Sequence, residues 1–140
     1  MSLMLKRKRW WCFITDKLFG VKLMMKYFTM KLVTGYWLLD AASDTLMHSL
    51  TIPRAVVVLA GGKYSHAPED SAIILEVAAK IDDPDWSIAQ SPFMRDHAKT
   101  VAYTHKISLE KDRLSYTETT TLDIYGRIFE HTNTNDLVRS

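Results

Sequence analysis

Residues 99–138, KTVAYTHKISLEKDRLSYTETTTLDIYGRIFEHTNTNDLV, decide the fold class. They are rich in β-branched and aromatic residues, and apolar and polar side chains alternate along much of the stretch, as in half-buried strands. The short links Glu110-Lys111-Asp112 and Tyr125-Gly126 divide the stretch into three strands. Links of this length join antiparallel neighbours, since a parallel crossover needs about a dozen residues or more. The stretch therefore predicts an antiparallel β-meander whose last strand carries His131.

The same pattern, short runs of β-branched and aromatic residues separated by turn residues, extends upstream to residue 35. Gly61-Gly62 is interpreted as a hairpin turn, and Pro84–Ala98 is long enough for a helical turn or an irregular corner. Many short strands with hairpin-length links indicate a sandwich or an up-and-down barrel. The predicted strands are Gly35–Ala41, Thr45–Ile52, Arg54–Ala60, Ala72–Ile81, Lys99–Leu109, Arg113–Tyr125 and Arg127–Val138.

Strand alternation assigns three of the five histidines, His48, His105 and His131, to faces that look inward. A histidine on an apolar face is more often a hydrogen-bonded core residue than a ligand. A cluster in one interior would nevertheless suit metal binding, because neutral imidazole is the commonest protein metal ligand. The rows that share a face are Leu46, His48, Leu50 and Ile52; Ile73, Leu75, Val77, Ala79 and Ile81; Val101, Tyr103, His105, Ile107 and Leu109; Leu114, Tyr116, Glu118, Thr120, Leu122 and Ile124; and Phe129, His131, Asn133, Asn135 and Leu137.

Composition excludes several classes of protein. The chain has 140 residues, 47% hydrophobic and 24% charged, as in an ordinary globular domain, and a net charge of +2 does not favour a nucleic-acid partner. The single cysteine, Cys12, excludes an internal disulfide. No hydrolase, metalloprotease or phosphate-loop motif is present, and Gly61-Gly62-Lys63 lacks phosphate-loop spacing. A barrel with an apolar interior remains, which suits a flat or oily small-molecule ligand.

Residues 1–34 differ from the rest of the chain. They are basic and rich in methionine and aromatic residues, and their apolar positions follow neither the helical nor the strand period. The apolar run after Lys6-Arg7-Lys8-Arg9 stops at Asp16-Lys17, too early for a signal peptide, and no run reaches the length of a membrane span. We therefore expect an N-terminal segment, 1–34, followed by a barrel domain, 35–140, in a cytoplasmic protein without a membrane partner.

Several stretches together resemble the nitrobindin-like family of haem-binding β-barrels, which are also described as fatty-acid-binding-protein-like. The resemblance covers about residues 35–139 in order. It is carried by Gly35 to Asp40, Ile52 to Gly62, Ile88 to Phe93, Tyr116 to Asp123 and His131 to Arg139. The resemblance implies an all-β, antiparallel up-and-down barrel of the nitrobindin or lipocalin type that binds haem b.

The resemblance also implies a function and a site. A histidine on the C-terminal strand would be the iron ligand, and His131 matches best, although counting back from Leu137 in the family pattern reaches Thr132. Phe129, Tyr103 and His105 are expected to line the haem. Ferric members bind nitric oxide and isomerise peroxynitrite, so peroxynitrite isomerase activity is the enzymatic expectation.

Other interpretations stay open. A non-catalytic carrier of fatty acid or another apolar ligand would need a carboxylate partner such as Tyr116 or Arg54. The family's first strands have no counterpart in residues 1–34. Either that segment completes the barrel, or the chain pairs with another in a homodimer, or the start is truncated or frame-shifted and the chain is a fragment without a competent pocket.

Overall fold

A computed structural model describes residues 34–52, 55–65, 68 and 71–138. The predicted segment 1–34 lies outside the described residues except for Thr34, and Arg54 lies outside them too. The elements are β1 (Thr34–Asp40), β2 (Thr45–Ile52), β3 (Val56–Lys63), β4 (Ile73–Lys80), β5 (Ile88–Gln90), α1 (Pro92–His97), β6 (Ala98–Leu109), β7 (Arg113–Ile124) and β8 (Arg127–Val138).

The strands form one antiparallel sheet in the order β1-β2-β3-β4-β6-β7-β8, and the short β5 pairs with β3. This meander confirms the all-β prediction. Its hairpins follow local turn chemistry: between β7 and β8, Tyr125 and Gly126 both have positive φ, as a two-residue type I′ turn requires. Within the described residues the sheet does not close, and β1 and β8 are its two edges.

Gly61-Gly62 corrects one sequence prediction. These residues are not a turn but continue β3 to Lys63. A Cβ at Gly61 would overlap the ring of Trp86, and a Cβ at Gly62 would overlap the main-chain carbonyl oxygen of Glu76 in β4. Glycine is present because two neighbours approach the strand closely, not because the chain reverses there.

We expect alanine at either glycine to destabilise the fold by about 1–3 kcal/mol, the usual cost of forcing extra volume into a packed site. The two substitutions differ in what relieves them. Trp86→Leu should rescue much of the loss in Gly61→Ala, because the obstructing atoms there belong to a side chain. It should not rescue Gly62→Ala, whose obstruction is main chain. Urea unfolding of the single and double variants measures this, and equal rescue of both would contradict the packing.

The acidic turn Asp82 to Asp85 is structural. The Asp83 carboxylate accepts hydrogen bonds from the main-chain N–H groups of Asp85 at 2.9 Å and Trp86 at 2.8 Å, and these bonds lower the pKa of Asp83. The turn thereby holds Trp86 over β3. The corner that follows contains the expected helical turn, α1, where Ser91 caps the main-chain N–H of Met94.

The inner face of the sheet carries the core. The predicted inward rows of the second and fourth strands are confirmed, with Leu46, Leu50, Leu75 and Val77 all buried. One facing is wrong: a bulge between Thr100 and Ala102 adds a residue to β6. Thr100 therefore faces inward with Tyr103, in place of Val101, and its backbone exchanges two hydrogen bonds with the Gln90 amide.

The last strand, β8, lies at the exposed edge. Every residue from Arg127 to Val138 is exposed, on both faces of the strand. Register still defines an inner face, because directly paired residues share a face: Phe129, His131 and Leu137 pair with Leu122, Thr120 and Leu114 of β7. The predicted common parity of these three residues is confirmed. Among the described residues, however, nothing packs across them to bury them.

Candidate functional site

A polar and aromatic cluster interrupts the apolar inner face. Its members come from two hairpins, β1–β2 and β6–β7, which β3 and β4 separate in the sheet. Register pairs Trp37 with His48 and His105 with Glu118, and ring contacts between Trp37, His48 and His105 join the two hairpins across the inner face. We call it the inner cluster; it consists of Trp37 on β1, His48 on β2, Tyr103 and His105 on β6, and Tyr116 and Glu118 on β7.

The aromatic rings fix one another. Trp37 stacks on His48 with ring centroids 4.2 Å apart and planes 12° from parallel. His105 meets Trp37 and His48 edge-on, each at 5.3 Å, and Tyr116 at 5.8 Å. Edge-to-face and offset contacts of this kind are favourable beyond the area they bury. The two imidazoles are therefore held in fixed orientations.

A hydrogen-bonded chain runs through the cluster. The Tyr103 hydroxyl lies 3.0 Å from Nδ1 of His105, and it also donates to the Glu118 carboxyl group. Tyr103 is only 1% exposed, so both partners satisfy a hydroxyl that has no access to water. These hydrogen bonds link Glu118 of β7 to the imidazole of His105 on β6.

Burial determines the charge of these groups. Desolvation lowers the pKa of His48 to about 3 and that of His105 to about 4, and the neighbouring His105 further depresses the pKa of His48. Desolvation raises the pKa of Tyr103, and Glu118 raises it further. The pKa of Glu118 is also raised by desolvation, although Tyr103 and the charge of His131 act against this. Both imidazoles are neutral at pH 7.

Two ring nitrogens of the inner cluster have no hydrogen-bond partner among the residues that the structure describes. They are Nδ1 of His48 and Nε2 of His105, and both atoms are buried. Buried polar atoms in folded proteins are nearly always hydrogen-bonded, so an unpartnered atom calls for a specific explanation. Two such atoms on neighbouring rings make the inner cluster a candidate binding site.

His131 lies at the edge of this site. It pairs with Thr120, which pairs with Tyr103 on the other side, so the three residues form one row across the inner face. His131 is also close enough to Glu118 for its charge to influence that carboxyl group. Thr132 lies on the opposite face, where its hydroxyl is 2.9 Å from that of Thr119. Of the two ligand positions considered from sequence, only His131 faces the interior.

The four predicted site residues thus form two separate pairs. The structure brings Tyr103 and His105 into hydrogen-bond contact and places Phe129 and His131 on the same inner face at the exposed edge strand. The predicted haem site omitted four members of the inner cluster: Trp37, His48, Tyr116 and Glu118. The alternation of β2 and β7 already placed His48 and Glu118 in inward rows, but it gave no indication that they would meet.

Two absences from the described part of the chain bear on the site. No group of three or more histidine, cysteine, aspartate or glutamate side chains there could hold a metal ion. No helix among the described residues combines the length and apolar character needed to cross a membrane.

Comparison with known proteins gives one match. The family model described as THAP4-like, heme-binding beta-barrel domain matches residues 21–139, well over half of the chain. The match begins upstream of the expected domain start at residue 35, so the division of the chain at that point stays a prediction. No curated protein and no solved structure matches the chain. Its antiparallel sheet and the family match agree, and the chain belongs to the THAP4-like family of haem-binding β-barrel domains.

Proposed function

We propose that this protein binds haem b through His131, and that the ferric haem binds nitric oxide or isomerises peroxynitrite to nitrate. The observation that carries the proposal is the position of His131: an exposed imidazole on the inner face of β8, in one row with Thr120 and Tyr103. Membership of a haem-binding family supports the cofactor. Imidazole is a common axial ligand of haem iron.

The residues around His131 fit a flat, largely apolar group. Phe129, two residues away on the same face, is half exposed and offers an aromatic surface. Tyr103 and His105 of the inner cluster lie two strands away on β6 and form the proposed wall. The bound iron would supply the redox and ligand-binding chemistry, while the protein sets the axial ligand and the polarity of the pocket. No side-chain acid or base is required.

Titration of the purified chain with hemin tests the proposal. We expect a Soret band that is lost in His131→Ala and kept in Thr132→Ala, because the neighbouring threonine faces the other side of the sheet. Circular dichroism should show both variants folded, since β8 contributes no buried side chain. A Soret band unchanged by His131→Ala would remove His131 from the ligand role. Faster peroxynitrite decay with the hemin-loaded protein than with free hemin would support isomerisation.

A second candidate is a non-catalytic carrier of fatty acid or another apolar ligand. The buried apolar side chains of the inner face favour it, and half-buried Tyr116, in contact with His105, is a candidate partner for a carboxylate headgroup. Failure to bind hemin together with tight binding of a fluorescent fatty acid, weakened by Tyr116→Phe, would favour this function. A chain that binds neither and shows no cooperative melt would lack a competent pocket. A cytoplasmic location and a homodimer also remain predictions.

A further inference from the structure

The two unpartnered nitrogens of the inner cluster are not explained by the haem proposal. Nδ1 of His48 and Nε2 of His105 are buried and accept or donate no hydrogen bond within the described part of the chain, although ring contacts hold both imidazoles in place. His48 is only 5% exposed as a residue. Each ring therefore has one nitrogen, as a lone pair or an N–H, that no described residue satisfies. An ordinary core histidine differs from these two, because its ring nitrogens have hydrogen-bond partners.

A protein group holds each imidazole from a side other than its unpartnered nitrogen, as is usual for histidines that bind a metal. A ligating histidine commonly donates its second nitrogen to an acceptor that fixes the tautomer. When the Tyr103 hydroxyl donates to Glu118, its oxygen accepts from Nδ1–H of His105, which leaves Nε2 with the lone pair. Trp37, stacked at 4.2 Å, fixes the plane of His48. The neutral state of both rings leaves their lone pairs free for coordination.

The distance between the ring centroids of His48 and His105 matches the distance expected for two imidazoles bound to one ion. Zn²⁺ binds imidazole nitrogen at about 2.0–2.1 Å, so two rings on one tetrahedral ion have centroids about 5 Å apart. The centroids of His48 and His105 are 5.3 Å apart, with planes at 62°.

We propose that His48 and His105 form a second site, distinct from His131, that binds a divalent transition-metal ion such as Zn²⁺ through Nδ1 of one ring and Nε2 of the other. Water or a small anion would complete the coordination shell. Tyr103 acts as a positioning residue, because it orients His105 without touching the ion. The metal site does not require bound haem or His131, since neither imidazole belongs to the strand that carries His131, although His105 is also a proposed wall residue of the haem site.

The test uses the full chain purified without hemin and freed of metal by EDTA. Added Zn²⁺ should raise Tm by about 5 °C at saturation, because a ligand that binds only the folded state stabilises it. Added Co²⁺ should give the visible bands of a nitrogen-ligated tetrahedral ion. His48→Gln and His105→Gln should abolish both responses. His97→Gln, which alters an exposed imidazole on α1, Cys12→Ser and His131→Ala should retain them.

Tyr103→Phe provides a test that survives if a histidine variant fails to fold. It keeps the ring and its packing but removes the hydroxyl that orients His105. We expect a Zn²⁺ affinity lower by about 10-fold or more, the usual effect of losing such a partner. An unchanged affinity in Tyr103→Phe would contradict the proposal. So would the absence of any Zn²⁺ response in the wild type, or a response that persists in both His48→Gln and His105→Gln.

Discussion

Replacing Leu46 with alanine should lower the free energy of unfolding by about 3 kcal/mol, because it opens a cavity where the side chain is 0% exposed. Leu46 points from β2 into the hydrophobic core, and its partner on β1, Leu39, packs against the same core. The chain is short enough for this loss to lower Tm by about 10 °C. Thermal melting of hemin-free protein, followed by circular dichroism, measures it.

Leu38→Ala is the matched control. Leu38 pairs with Met47 on the outer face of the same hairpin and is 53% exposed, so its truncation should cost about 0.5 kcal/mol or less. The comparison tests the register, because a slip by one residue exchanges the two faces of a strand. Equal losses in the two variants, or a larger loss in Leu38→Ala, would contradict the inner face described for β1 and β2.

The sequence was sufficient for the β-meander because its signals are local. The bounds of β2 and β8 agree with the predicted strands residue for residue, since turn chemistry and alternation mark both ends. Gly61-Gly62 was misinterpreted because glycine signals a turn and a close approach equally well. Trp86, whose ring approaches Gly61, lies 25 positions away from it in the chain, and no local pattern connects them.

The site was less accessible to sequence reasoning for a related physical reason. Alternation correctly placed His48 and His105 inward, but it cannot tell that two strands that are not neighbours in the sheet bring their ring centroids within 5.3 Å of each other. The bulge in β6 has no sequence signal either, and it reverses Val101 and Thr100 while leaving Tyr103 and His105 in place. His131 came from family resemblance, and alternation alone could not rank it above Thr132. The register of β8 against β7 distinguishes the faces of these two residues.

Mild acid should destabilise the protein through His48 and His105. Their pKa values are lowered by burial to about 3 and about 4 in the folded chain, against 6.5 for an ordinary histidine. The unfolded chain therefore binds protons first as the pH falls below about 6.5, and stability declines from there towards the folded-state values. By pH 5 the loss is about 2 kcal/mol for each histidine, or about 4 kcal/mol together.

The change in stability between pH 7 and pH 5 isolates this effect. Urea unfolding of His48→Gln/His105→Gln should show a decline smaller by about 4 kcal/mol than that of the wild type, whatever the absolute stability of the variant. Glu118 acts in the opposite direction: its raised pKa makes the folded chain bind a proton first, which adds stability as the pH falls. It is present in both proteins, beside His131, so much of its contribution cancels in the comparison.

Neither the carboxylates with lowered pKa values nor an exposed histidine should account for the decline between pH 7 and pH 5. The carboxylates with lowered pKa values, Asp40, Asp83 and Asp96, lose their stabilising contribution as the pH falls below about 4, outside the window used. His97→Gln, an exposed control, should decline with pH as the wild type does. If the double variant also declined as steeply as the wild type, the two imidazoles would have to be accessible to water. The inner cluster could then supply neither an unpartnered pair of buried nitrogens nor a dry wall for a haem.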